Sequence, residues 1–172
     1  MNLQSNDFEL LGVPQQFDQQ ATVLEQHWKD LQRQVHPDKF AAQGAAAQRL
    51  SMQWSVRINE AYQRLKDPVR RASYLCELAG VAVDAHNNTA MPGEFLMQQM
   101  QWREAMEDAQ DAGTLQALGE QVRSERQHLL QQCQCLLDAD RDYIGAVAVV
   151  RCLMFIQKFA SDLDEQMDLM EL

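Results

Sequence analysis

A chain of 172 residues that is 46% apolar can bury one core or two small ones. Its net charge of -10 argues against a nucleic-acid binder, which needs a basic stripe. Seven Gly, four Pro and few β-branched runs, against abundant Gln, Ala, Leu, Met and Glu, point to an all-α fold.

Phe8, Leu10, Leu11 and Val13, closed by Gly12 and Pro14, predict a short first helix with Asp7 as its cap. Ala21, Leu24, Trp28, Leu31 and Val35 recur at alternating spacings of three and four, one face of an amphipathic helix. Asp18 is its expected N-cap and Pro37 its stop, because the residue before a proline is biased away from helix. Beyond a loop over residues 40–44, Leu50, Trp54, Ile58, Ala61 and Leu65 share the face of a third helix. Asp67 caps a fourth, with Pro68 at its first position and Val69, Ala72, Leu75 and Leu78 inside, ending at Gly80. Asp84, His86, Asn87, Asn88 and Thr89 mark a solvated linker over residues 81–91.

Three longer patterns complete the chain: one over about 92–111, one carrying Leu115, Leu118, Val122, Leu129 and Leu136, and one from about Asp140 onward. The last is apolar on most faces over residues 144–159 and is expected to be the most buried. Short connections at Gly113-Thr114 and residues 137–140 make neighbours antiparallel, giving a three-helix bundle over 92–172.

Charge divides unevenly between the two parts. Residues 1–75 carry nine Lys/Arg against eight Asp/Glu; residues 76–172 carry six against seventeen. Segments so different in charge are expected to face different partners. The start, Met1-Asn2-Leu3-Gln4, lacks the pattern of a signal peptide. No run of about 18 apolar residues is expected to span a membrane. Four cysteines, read as free thiols, fit a reducing compartment, so the cytoplasm is the expected location.

The sharpest local feature is His36-Pro37-Asp38 between two helical patterns. Pro37 fixes a backbone torsion, Asp38 accepts hydrogen bonds, and His36 can donate or accept. Lys29 and Arg33 lie one turn apart on the preceding helix, with Lys39 just past the loop. By chemistry alone this is either a docking tip for an acidic partner or a turn whose His and Asp satisfy backbone groups. A catalytic dyad of His36 and Asp38 lacks a nearby Ser or Cys nucleophile and a glycine-rich phosphate loop.

Residues 31–40, Leu-Gln-Arg-Gln-Val-His-Pro-Asp-Lys-Phe, with Ile58-Asn59-Glu60-Ala61-Tyr62 and Leu65-Lys66-Asp67-Pro68 downstream, resemble a J-domain. With the second half included, the chain is similar to the HscB family of J-type co-chaperones in iron–sulfur cluster assembly. The resemblance implies a J-domain over residues 1–80, a helical hairpin plus short helices. It implies that His36, Pro37 and Asp38 contact a DnaK-type chaperone (HscA-like) and stimulate its ATPase, with Lys29, Arg33 and Lys39 as electrostatic contacts. The chain itself is then an activator rather than an enzyme and carries no cofactor.

The helix over 92–111 is apolar on two sides. Phe95, Trp102, Met106 and Ala109 share one face, while Leu96, Met97 and Met100 fall roughly 100–200° away. The second side either packs within the protein or binds a partner, and exposed methionine suits the latter. The HscB resemblance implies that Leu96, Met97, Met100, Gln101 and Glu104, with Phe155 on the last helix, bind an iron–sulfur scaffold protein (IscU-like). Gln98 and Gln101 stand where some relatives are acidic.

Cys133-Gln134-Cys135 is a weak metal signal, because the two side chains of one helix point about 200° apart. Buried thiols are the expected fate, and no metal is expected. Trp28, Trp54 and Trp102 fall on apolar faces and are expected in the core; His27 and His86 show no partner. The acidic tail over 162–171 reads as a solvated helix face. The rivals to a scaffold-delivering co-chaperone are a J-protein for another client and a hydrolase using His36 and Asp38. Neither nucleic acid nor membrane is an expected partner.

Overall fold

The computed structural model describes residues 4–83 and 91–170, the side chains of Ala41 and Ala42 excepted. Most of the expected linker, residues 84–90 with Asp84, His86, Asn87, Asn88 and Thr89, lies outside the described residues. All regular structure among the described residues is helical, and the chain divides into two compact units between Leu75 and Cys76.

The first unit contains α1 (Asp7–Leu11), α2 (Ala21–Gln34), a 3-10 segment (Pro37–Gln43), α3 (Ala45–Lys66) and the start of α4 (Pro68–Leu78). Three contacts set the α2–α3 register: Ser51 Oγ donates to Val35 O at 2.6 Å, Gln32 and Ser55 exchange hydrogen bonds, and Trp28 stacks on Tyr62. As the α2 number falls the α3 number rises, so the two helices form an antiparallel hairpin. Leu24, Val35, Ile58, Ala61 and Leu65 fill its core. Leu50 and Trp54 stand on the expected face but are not buried. Leu50 is exposed and Trp54 half-buried, because with Val35, Phe40 and Ala47 they line an open apolar cavity of about 410 Å3.

Two expected caps are replaced. Asn6 caps α1 through its side chain, accepting from Glu9 N at 2.9 Å, and the N-cap position of α2 falls on Gln20, not Asp18, with no side-chain cap bond from Gln20. Asp7 is instead a fully buried anion. Its carboxylate meets Arg57 Nη2 at 2.6 Å and Arg64 Nη1 at 3.0 Å, while its backbone N–H donates to Tyr74 Oη. Arg64 also lies over the Tyr74 ring, and Phe8 stacks on it, so α1 is pinned to α3 and α4 at one point. Gly12 ends α1 at φ +65, a torsion that glycine adopts without steric cost. His27 Nδ1, 2.7 Å from Leu11 O, ties α2 to this turn. Asp67 does cap α4, its Oδ1 accepting from Val69 N and Arg70 N.

The second unit holds the end of α4, α5 (Gly93–Glu107), α6 (Ala112–Gln134), a π-helical turn (Cys135–Asp140) and α7 (Tyr143–Met170). Phe95 meets Phe155, Trp102 stacks on Phe159, and Gln166 donates to Met106 O, so α5 and α7 run parallel. Gly119 of α6 faces Leu163, and the far end turns at Asp142, whose N–H donates to Leu136 O, so α6 runs antiparallel to α7. The result is the antiparallel three-helix bundle. Its turns sit elsewhere than expected. Gly113-Thr114 is the first turn of α6, capped by Asp111, and residues 137–140 continue α6 as the π-turn that Arg141 closes at φ 54.

By length and composition alone α7 could cross a membrane, with a mean hydropathy of 1.5 over 18 residues, which corrects the expectation from the sequence. Its Ala146, Val150, Leu153, Ile156, Phe159 and Leu163 are buried in the bundle. Cys76, Cys133 and Cys152 are buried too, whereas Cys135 is exposed, contrary to the expectation of buried thiols throughout. Burial pushes the Cys133 thiol up to about 12, with Cys76 adding to it. Burial likewise pushes Cys76 and Cys152 up to about 11.

These two features give two predictions. Asp7→Asn removes the charge that Arg57 and Arg64 surround. Both arginines keep some contact with water, so the first unit should lose about 1–3 kcal/mol rather than the full cost of breaking a buried pair. Urea unfolding followed on amide signals of residues 4–75 checks this, and an unchanged midpoint counts against the clamp. In the bundle, folded thiols hold their protons above the ordinary 9.0 while unfolded ones ionise. The native state then binds more protons, so stability falls as pH rises from about 9 towards 11–12. The urea midpoint of the bundle should be lower at pH 10.5 than at pH 8, with a shallower drop in Cys133→Ala.

Candidate functional site

The loop after α2 is built from its ends inward. α2 stops at Val35 because Pro37 cannot continue it. Stopping leaves carbonyls without helical donors. The buried Ser51 hydroxyl serves one of them, Val35 O, and so anchors the base of the loop to α3. Beyond that point His36 turns outward. Its Nδ1 lies 3.3 Å from Asp38 N, placed to accept from it, and 3.5 Å from Asp38 Oδ2. Lys39 N donates to His36 O, closing the turn. With Nδ1 accepting, the neutral ring carries its proton on Nε2. The tip is accessible: the side chains of His36 and Asp38 are 58% and 90% exposed, and Pro37 between them is half-buried. The loop is thus a stiff polar projection rather than a buried turn.

Lys29, Arg33 and Lys39 are all exposed. Two of the three cations are already engaged. Lys29 Nζ pairs with Glu25 at 2.6 Å, and Arg33 pairs with Asp30. Lys29 holds the Glu25 carboxyl below its ordinary range. Sequence reasoning omitted Glu25 and Asp30, although spacings of three and four along one helix announce such pairs. It also missed Ser51 and the Gln32–Ser55 exchange. A small polar residue within the apolar stripe of α3 was the available signal for Ser51.

On α5, Phe95 and Trp102 are buried on one side. Leu96, Met97 and Met100 are 43%, 65% and 65% exposed, and Gln101 and Glu104 are exposed beside them. At about 100° per residue these five occupy one arc of about 140°. The second apolar side of α5 is therefore open. Phe155 differs. It is half-buried, edge-on to Phe95, stacked on Phe159 and covered by the Arg103 guanidinium at 5.6 Å. It meets α5 at Phe95, the sequence neighbour of Leu96, and belongs mainly to the ring packing of the bundle. Among the described residues no cluster of His, Cys, Asp or Glu is arranged to hold a metal ion.

A stiff His-Pro-Asp tip on a helical hairpin defines a J-domain protein, and residues 6–74 match the DnaJ domain family. Residues 91–164 match the family described as the HSCB C-terminal oligomerisation domain. Two relatives, each described as "Co-chaperone protein HscB homolog", come from Burkholderia thailandensis and Burkholderia cenocepacia. Each is 45% identical over 174 residues, covering 99% of both chains. Among solved structures, the chaperone HscB from Vibrio cholerae superposes with a TM-score of 0.84 at 34% identity, over 96% of this chain and 99% of that one. Human co-chaperone HscB shares the fold with a TM-score of 0.85 at 21% identity, over 100% of this chain and 85% of that one. The chain belongs to the HscB co-chaperone family.

Phe155→Ala should lower bundle stability by roughly 1–3 kcal/mol, below the cost of a fully buried Phe, because it leaves Phe95 and Phe159 without their ring partner. A thermal midpoint equal to that of the parent chain would place Phe155 outside the core and make it purely a surface contact.

Proposed function

We propose that this protein is a co-chaperone of iron–sulfur cluster biogenesis that works in the cytoplasm. It stimulates the ATPase of a dedicated DnaK-type chaperone (HscA-like) and delivers an IscU-like scaffold protein to it. The observation that carries the first half is the exposed His36-Pro37-Asp38 tip on its anchored base. The observation that supports the second is the open arc of Leu96, Met97 and Met100, rimmed by Gln101 and Glu104.

The roles divide along the chain, with a J-domain over residues 1–80, a linker over 81–91 and the scaffold-binding bundle over 92–172. Asp38 and His36 offer a fixed acceptor and donor to the chaperone's ATPase region. Lys29, Arg33 and Lys39 draw an acidic partner surface towards them. Apolar side chains on α5 lose contact with water when the scaffold covers them, and Phe155 supports that face from below. One chain that holds both scaffold and ATPase trigger raises the effective concentration of each for the other. Hydrolysis then closes the chaperone on its client. The protein itself forms and breaks no covalent bond.

One assay separates these roles: ATP hydrolysis by an HscA-type chaperone, with this chain and with or without an IscU-type scaffold. His36→Gln should abolish stimulation in both conditions while helicity stays intact. L96A/M97A/M100A should keep the stimulation seen without scaffold and lose scaffold affinity on the order of a hundredfold. Scaffold binding that survives the triple variant would assign the α5 face to another client. Turnover by the isolated chain would favour the hydrolase reading.

A further inference from the structure

Methionine is uncommon on protein surfaces, and Met97 and Met100 place two thioethers on one open arc of one helix. Both are 65% exposed, above Met52 at 59% and Met170 at 38%. Met91, Met106, Met154 and Met167 are half-buried, and Met91 Sδ accepts a hydrogen bond from Gln99 Nε2. A hydroperoxide in solution therefore meets Met97, Met100 and Met52 more readily than the half-buried methionines, and of these three only Met97 and Met100 stand on the α5 arc. Thioether oxidation turns a flexible apolar side chain into a polar one, and it is reversible by dedicated reductases.

We propose that Met97 and Met100 are a reversible oxidation site that switches off docking on the α5 face when peroxide is present. This rests on the reading of that face as the scaffold-binding surface. In each step the sulfur lone pair attacks one peroxide oxygen and the O–O bond breaks. The sulfur, oxidised by two electrons, keeps that oxygen as a sulfoxide; the other leaves as hydroxide and takes up the released proton as water. A thiol-dependent reductase reverses the step by oxidising two thiols to a disulfide and releasing the oxygen as water.

The geometry makes the change local. Phe95 and Trp102, which hold α5 in the bundle, point away from the arc, so the fold does not depend on the two sulfurs. A sulfoxide carries a strong dipole that must be stripped of water when a partner covers it. Apolar contact area is lost in the same event. The cost falls on docking and spares stability. Cys76, Cys133 and Cys152 do not compete at neutral pH, since burial keeps them protonated and covered. The exposed Cys135 lies on the π-turn rather than on α5, and M97L/M100L, which keeps it, controls for its oxidation.

The test uses the full chain, hydrogen peroxide in modest excess, peptide mass spectrometry and titration with an IscU-type scaffold. Sulfoxide should appear at Met97 and Met100 before Met91, Met106, Met154 and Met167, with helicity and melting temperature unchanged. Scaffold affinity should fall roughly tenfold or more, and methionine sulfoxide reductase with a dithiol should restore it. M97L/M100L, whatever its starting affinity, should show the same affinity before and after peroxide. Met52→Leu should respond as the parent does. Oxidation that begins at the half-buried methionines, or affinity unchanged with both sulfurs oxidised, overturns the switch and leaves the scaffold reading standing. Failure of the untreated chain to bind scaffold through this face overturns that reading and the switch with it.

Discussion

A helix that ends on the way to a proline leaves a carbonyl pointing at nothing, and the first unit is arranged around satisfying one such group. The Ser51 hydroxyl, buried, donates to Val35 O at 2.6 Å. That bond fixes where α2 ends against α3. The Gln32–Ser55 exchange and the Trp28–Tyr62 stack then hold the same register along the hairpin. Because the anchor lies beneath the loop, nothing above it has to pack. His36 and Asp38 can stay in water and still keep a set separation, which a floppy loop of the same composition would not give.

The bundle solves a different problem. α7 is apolar nearly all round and mostly buried, whereas α5 is apolar on two sides and, among the described residues, is covered on one. Edge-on and stacked rings from Phe95, Trp102, Phe155 and Phe159 close the inner side. Once those rings are in place the outer side is set by periodicity alone. The open surface is thus a consequence of how the core is built and needs no separate support.

Much of this was legible from the sequence because it depends on spacing. The α2 stripe, the proline stop, the Asp67 cap and the two-sided character of α5 all follow from which residue stands how far from which. What escaped depends on distant partners. Asp7 looks like a helix cap until Arg57 and Arg64, about fifty residues on, turn out to enclose it. Leu50 sits on the right face of α3, but the hairpin ends before anything covers it. Gly113 and Thr114 look like a turn, yet Asp111 caps a helix that already includes them. The π-turn at Cys135–Asp140 leaves no compositional trace, since it widens the helix without changing residue type. Phe155 was the hardest position, because its helix is apolar in every direction and only the ring contacts locate it.

The paired cations of α2 carry one more implication. Lys29 and Arg33 already hold Glu25 and Asp30, so an arriving anion must take the place of a resident carboxylate. A diffuse polyanion gains little from that exchange, since it trades one screened contact for another. A rigid surface whose carboxylates stand at the right intervals, and which engages His36 and Asp38 at the same time, gains the sum of the new contacts. For the docking proposed above, the resident pairs would set a low threshold, favouring a geometry that displaces several at once over a casual anion that meets one.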